Sequence, residues 1–485
     1  MSALSSTTRP DPRRWWALAV LSMTQLVVVL DATIVNVALP HAQADLGMTD
    51  TQRQWVVTAY ALAFGALLLL GGRIADYGGR KRGYLIGMIG FGLASAWGGV
   101  AQSGTELVAA RGLQGAFAAL LAPAALSLLT VTFPAGRERG TAFAVFGTVA
   151  GTGAAIGLAL GGVLTEFAGW RWCLLVNLVF AAIGLLGARL FLTESRAEGE
   201  NRYDIVGAVT VTLGLASLVY GFSLAEGGWG AVDTVAFLAV GVLLLVAFVR
   251  IESTVAQPLL PLRVVLDRTR AGAFLVQAVV GTVYIGTTLY QAFHLQIVLG
   301  LSPLRAGTGA LAMTVATMAT APVAARAFQR FGGRVVMTIG PLVAAAGMLL
   351  LARLTPEGTY WGEVLPGMVL VGIGLAFVVI PVQNVALTGI ARHDAGAASA
   401  LVNSAMQVGG SIALAVFTTI FVRAAADGAS GAPAGAPAAL EGYAAVYRAS
   451  AVLLVVAGLA ALLLIRKPAV DRDAAAEELS PVQVG

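Results

Sequence analysis

Repetition constrains this chain more than any other feature. Fourteen apolar stretches, nearly free of charge, follow one another at 15–39, 54–72, 83–102, 106–131, 140–164, 170–192, 204–224, 232–251, 271–297, 305–327, 333–353, 362–390, 396–423 and 443–465. A helix rises about 1.5 Å per residue, so roughly 20 apolar residues cross the hydrocarbon layer of a bilayer. Lipid offers the backbone no hydrogen bonds, and within one isolated segment only a helix closes them all. The alternating pattern of barrel strands is absent. The expected fold is therefore an all-α polytopic membrane protein. Composition agrees: 58% of the 485 residues are hydrophobic and 11% are charged, whereas soluble chains carry about 25% charge. The 59 glycines suit spans that pack closely where no water drives helices together.

Charge then orients the spans. With the N-terminus in the cytoplasm, only Arg53, Arg171, Arg305, Arg353, Arg423 and Arg448 fall on the outer side, Arg111 falls within a span, and every other Lys or Arg falls on the cytoplasmic side. That is the positive-inside pattern, and it accounts for the net charge of +5 without a nucleic-acid partner. The expectation is a multi-pass protein of the plasma (inner) membrane with both termini cytoplasmic. Residues 1–12 and 468–485 read as polar cytoplasmic tails. Residues 13–195 form an N-terminal six-helix lobe, 196–252 a charged connector with two inserted helices, 253–270 an amphipathic linker on the inner surface, and 271–467 a C-terminal six-helix lobe. The Ala/Gly/Pro-rich stretch 424–441 reads as a flexible outer tether. Ala42-Gln43-Ala44 resembles a signal cleavage site, but the apolar stretch before it is too long for a signal peptide and holds an acid.

Enzyme chemistry and cofactors are not expected. There is no GxxxxGK[ST] phosphate loop, no HExxH and no Cys/His metal cluster. The histidines His41, His294 and His393 all lie near span ends, His294 as a wet interfacial residue. The single Cys173 excludes an internal disulfide.

An acid inside a span is costly and marks function by default. Asp31 is alone in its stretch, four residues or about 6 Å beyond the midpoint near Val27. Arg111 lies seven residues or about 10 Å from the midpoint of its own stretch near Ala118, on the same side. The two thus sit at similar depth, and Gln114 shares the helix face of Arg111. Low dielectric and a neighbouring guanidinium act on a carboxyl's proton in opposite senses. A conformational change that alters either alters proton affinity, which is what coupling requires. A static ion pair joining the two spans is the alternative.

The turn between the second and third stretches reads GGRIADYGGRKRGYL, Gly71 to Leu85, where the glycines permit a tight turn and Asp76 is in reach of Arg80 or a helix N-terminus. A degenerate copy, RAFQRFGGRVVM, occupies Arg326 to Met337 in the second half and keeps Gly332, Gly333 and Arg334. LDATIVNVALP (Leu30 to Pro40), RGLQGAFAALLAP (Arg111 to Pro123), GTVAGTGAAIGLALGG (Gly147 to Gly162), GWRWCLLVN (Gly169 to Asn177) and GGWG (Gly227 to Gly230) complete the set.

Together these motifs resemble those of the major facilitator superfamily, and within it the fourteen-span drug:proton antiporters. One departure is Leu158, where the glycine-rich motif normally has proline. The resemblance implies a major facilitator bundle of two six-helix lobes plus two inserted helices. Gly72, Asp76, Gly79, Arg80 and Lys81 would form a conformational latch, and Asp31 with Arg111 would couple protons. Gly147, Gly151, Gly157 and Gly161 would form a packing stripe. Substrate would bind near the midplane by alternating access, with Asn36, Gln114, Tyr60, Tyr284, Gln383, Asn384 and Asn403 as cavity candidates. The implied activity is export of an amphipathic small molecule in exchange for protons, by a monomer in the lipid bilayer. A nutrient importer on the same fold and a non-transporting receptor or scaffold are the alternatives. Because Asp31 is the one acid expected near the midplane, neutral or monocationic amphipaths are expected to be exported better than dications.

Overall fold

A computed structural model describes residues 13–133, 137–196, 204–225, 228–255, 258–260, 262–353, 355, 358–387, 395–429 and 436–466. The helices are α1 Arg14–Leu46, α2 Asp50–Gly78, α3 Arg80–Gly99, α4 Gly104–Thr132, α5 Arg137–Phe167, α6 Trp172–Phe191, α7 Ile205–Leu224, α8 Val232–Glu252, α9 Leu262–Val265, α10 Arg268–Phe293, α11 Pro303–Leu351, α12 Leu365–Leu387, α13 Ala395–Ala429 and α14 Ala436–Leu464. No strand occurs among the described residues. Each expected apolar segment falls on a helix as far as its residues are described. Among the described residues, eleven helices are long and apolar enough to cross a membrane, or twelve if α2, bent by 53°, is one span. α3 is outside that count, and α11 enters it once although Gly332 breaks it at φ 76°. That break divides 305–327 from 333–353, as expected from the degenerate loop.

α1 packs on α5, α6 and α4, and α4 also carries α2 and α3; in the second half α10 packs on α13 and α14, and α11 on α12 and α14. The halves meet along α2–α13 and α5–α11. α7 and α8 pack on one another, and α7 lies over the seam between α2 and α13. Leu62 and Ala66 of α2 close with Leu215 and Val219 of α7 into one buried apolar cluster.

The packing stripe on α5 differs from the expected one. Gly157 faces Thr33 Oγ1 and the Leu30 carbonyl, Gly161 faces the Ile34 carbonyl, and Gly153 faces Val29, all on α1. Gly147 has nothing within 4 Å of where a Cβ would stand, and the packing of Gly151 lies outside the described residues. The reason is angular: residues four apart drift little around a helix, so 153, 157 and 161 share a row that 147 leaves. Gly157→Ala is therefore expected to destabilise the protein by about 1–3 kcal/mol through overpacking, while Gly147→Ala leaves it unchanged. Paired thermal melts in detergent check this.

The tether expected at 424–441 is largely helical. α13 continues to Ala429 and α14 begins at Ala436, which suits the alanine-rich flanks. Residues 430–435, the tails 1–12 and 468–485, and 197–203 of the connector lie outside the described residues. Within the expected surface linker, α9 is a four-residue helix, and the Asp267 side chain accepts the N–H groups of Thr269 and Arg270 to start α10.

Candidate substrate cavity and proton-coupling site

The crossing of α1 and α4 brings Asp31 and Arg111 together. Arg111 Nη1 donates to Asp31 Oδ2 at 2.6 Å and to Gln114 Oε1 at 3.0 Å, and its Nε donates to the Val56 carbonyl at 3.2 Å. Gln114 Nε2 donates to Asp31 Oδ1 at 3.1 Å and to Ser95 Oγ at 2.6 Å. Asn177 Nδ2, on α6, donates to Asp31 Oδ1 at 2.7 Å. The Asp31 side chain is 0% exposed and that of Arg111 1%. A buried ion pair persists only when its remaining donors and acceptors are also met, and the two amides and the Val56 carbonyl do this. The Arg111 guanidinium lies over the Tyr60 ring, 4.3 Å from its centroid.

A cavity of about 450 Å³ adjoins this network. Asn36, Tyr60, Tyr284 and Asn403 line it as expected, joined by Gln25, Phe64 and Gln407. Arg111 reaches its wall; Asp31 does not. Three expected lining residues are elsewhere. Gln114 is fully buried and spent on Asp31 and Ser95. Gln383 and Asn384 sit on α12, which packs on α10, α11 and α13 rather than facing the first half, and they do not line the cavity. The cavity extends from Asn36 down to Arg73, Asp76 and Leu259 beside the α2–α3 turn.

At the opposite end the two halves close. Gln296 Nε2 donates to the Val37 carbonyl at 3.1 Å, the Leu304 N–H donates to Glu166 Oε2 at 2.9 Å, and Arg53 lies 4.3 Å from the Phe293 ring centroid. His294 is part of this closure rather than a wet residue. It is buried within a π-helical turn, His294–Val298, edge-on to Tyr443 at 5.3 Å.

The α2–α3 turn is held by one carboxylate from far along the chain. Gly79 takes φ 117°, and Arg80 Nε donates to Asp76 Oδ1 at 2.8 Å. Glu194 accepts the backbone N–H groups of Lys81 at 3.0 Å, Arg82 at 3.1 Å and Ser195 at 2.9 Å. An acid at a helix N-terminus meets both its orphan donors and its dipole. The Lys81 ammonium donates to the Leu192 carbonyl at 2.6 Å. Gly72 makes only ordinary contact with Pro123; its neighbour Gly71 is the close approach, facing the Ala119 carbonyl of α4.

Sequence reasoning left Asn177 and Glu194 without roles. Asn177 had one signal, an amide in an otherwise apolar helix; Glu194 lay at the charged end of the N-terminal lobe with nothing to single it out.

Residues 21–414 match the Major Facilitator Superfamily. The chain is similar to the puromycin resistance protein of Streptomyces alboniger, at 44% identity over 98% of this chain and 96% of that one. It is similar to the cephamycin export protein CmcT of Amycolatopsis lactamdurans, at 38% identity over 86% of each. It also resembles the tetracenomycin C resistance and export protein of Streptomyces glaucescens, at 33% identity over 86% of this chain and 77% of that one. Among solved structures, a bacterial homolog of the human lysosomal transporter Spinster, inward-facing and occupied, superposes with a TM-score of 0.68 at 17% identity, covering 95% of this chain and 100% of that one.

Proposed function

The chain belongs to the major facilitator superfamily, and on that footing we propose that it exports an amphipathic organic compound of the drug, dye or antibiotic kind in exchange for protons. Relatives named for antibiotic resistance and export support the substrate class. The observation that carries the proton part is the Asp31 carboxylate, sealed one side-chain layer behind the cavity by Arg111, which itself rests on the cavity residue Tyr60. A compound settling against Tyr60 and Phe64 displaces the ring that supports Arg111. Any shift of Arg111 changes the field at Asp31 and its access to water, and so its hold on a proton. Occupancy and protonation are thereby linked, and linkage is reciprocal.

In this reading the α2–α3 turn faces the cytoplasm, both termini are cytoplasmic, and the monomer sits in the plasma membrane as fourteen spans. Residues 13–195 and 271–467 are the lobes that rock about the cavity, with α7 and α8 inserted between them. The experiment is uptake of a compound panel into proteoliposomes with an acid lumen and with none. Gradient-dependent accumulation of an amphipath supports antiport. Accumulation only when the lumen is the more alkaline side would mean symport and import, and flux of no compound would mean a receptor or scaffold.

Two further outcomes follow. The charges in the cavity are Arg111 in its wall and Arg73 with Asp76 at its mouth, so a dication finds no free acid at depth, and leaving a charge unpaired there is costly. Neutral and monocationic dyes are expected to compete for export better than matched dications. Asp76→Asn removes the partner of Arg80 while touching no deep cavity residue. It is expected to slow turnover several-fold with substrate Kd nearly unchanged, read by parallel flux and equilibrium binding.

A further inference from the structure

The inserted hairpin carries a second pair of buried ionisable groups, away from Asp31. Asp204 precedes α7 and Glu252 ends α8; their relative exposures are 7% and 3%. Each spends one oxygen on backbone. Asp204 Oδ1 accepts the Gly207 N–H at 2.8 Å, and Glu252 Oε2 accepts the Leu260 N–H at 2.9 Å. The remaining oxygens, Asp204 Oδ2 and Glu252 Oε1, have no hydrogen-bond partner among the described residues. Both point into the same space beside Gly207, the one that a Cβ would fill. Two buried carboxylates that face one gap with no N–H between them cannot both stay ionised, and a proton shared between these oxygens would satisfy both.

The charge acting on Glu252 is that of Asp204. Of the neighbouring cations, Arg250 on α8 is exposed and Arg73 on α2 is directed at the Pro258 carbonyl, 3.4 Å away. Asp76 on the last turn of α2 is engaged by Arg80. Glu252 holds the Pro258–Leu260 segment through Leu260, and Leu259 of that segment lines the mouth of the cavity together with Arg73.

We propose that Asp204 and Glu252 form a proton-binding site distinct from Asp31, which when occupied straps residues 258–260 across the mouth of the cavity. Loss of the proton leaves two facing carboxylates; their repulsion parts the α7 and α8 ends and frees the strap. The site would set how readily the mouth opens according to the pH on the side of the α2–α3 turn. This does not depend on antiport at Asp31.

The test is the labelling rate of Leu259→Cys by a methanethiosulfonate in nanodiscs, normalised at each pH to free cysteine; the native Cys173 is buried. Between about pH 6 and about pH 9 the rate is expected to rise at least about fivefold, the low end of ordinary linkage between sites. Glu252→Gln, which keeps an acceptor for the Leu260 N–H and a donor for Asp204, is expected to label slowly at both pH values, and Asp204→Asn likewise. Asp31→Asn is expected to keep the rise. Loss of the rise in either pair variant supports the site. A flat response with the pair intact, or a rise retained in both variants, overturns it.

Discussion

Asp31→Asn is expected to reduce gradient-driven export to the level of vesicles without the protein, while the protein still folds and inserts. The substitution removes the group that binds the proton and keeps its size. The fold tolerates it because Gln114 can keep donating to the retained oxygen, while Asn177, whose own amide oxygen has no partner among the described residues, can turn that oxygen toward the new N–H. Arg111 keeps one acceptor at that position and its bond to the Val56 carbonyl. Asp31→Ala lacks these escapes. Both variants remove the counter-ion of Arg111, but Ala also removes the acceptor for Arg111, Gln114 and Asn177, and about 3–5 kcal/mol of stability is expected to go with it. The pair of variants separates the coupling role from the structural one. Export assays, with melting temperatures alongside, read both, and gradient-driven export at the normal rate in Asp31→Asn would remove the coupling role.

Arg111→Lys is the second large effect. Arg111 uses Nε for the Val56 carbonyl, Nη1 for Asp31 and Gln114, and the face of its guanidinium for Tyr60. An ammonium is a point charge; it cannot hold these divergent acceptors and stack at once. Export is expected to fall more than tenfold although the formal charge is unchanged. Arg111→Ala is expected in addition to move the pH at which transport is half-maximal, since the field at Asp31 changes. Should that pH stay fixed in Arg111→Ala, the two residues are a structural pair and no more.

Much of this was legible in the chain because membrane helices obey simple rules of length and register. Depth along two antiparallel spans was enough to pair Asp31 with Arg111, and helix periodicity put Gln114 beside them. The glycines of the two related loops marked the turns at Gly79 and Gly332, where the backbone takes positive φ. Contacts between distant segments were not legible. Asn177 reaches Asp31 across 146 residues and Glu194 reaches Lys81 across 113, and neither distance leaves a local pattern. The cavity list failed at Gln383 and Asn384 for the same reason: which face of α12 looks inward is decided by its packing on α10 and α11, not by its own residues. Gly153 was passed over for Gly147 because the motif named glycines, whereas the crossing with α1 selects a row.

Proton exchange on substrate binding tests the central claim most directly. Purified protein in a weakly buffered detergent solution is mixed with an exported compound over a range of starting pH, and the pH change is followed with an indicator dye. The account predicts a prompt change in bound protons that saturates with substrate and disappears in Asp31→Asn while substrate binding persists. Binding with no proton exchange at any starting pH, or equal exchange in Asp31→Asn, would contradict it.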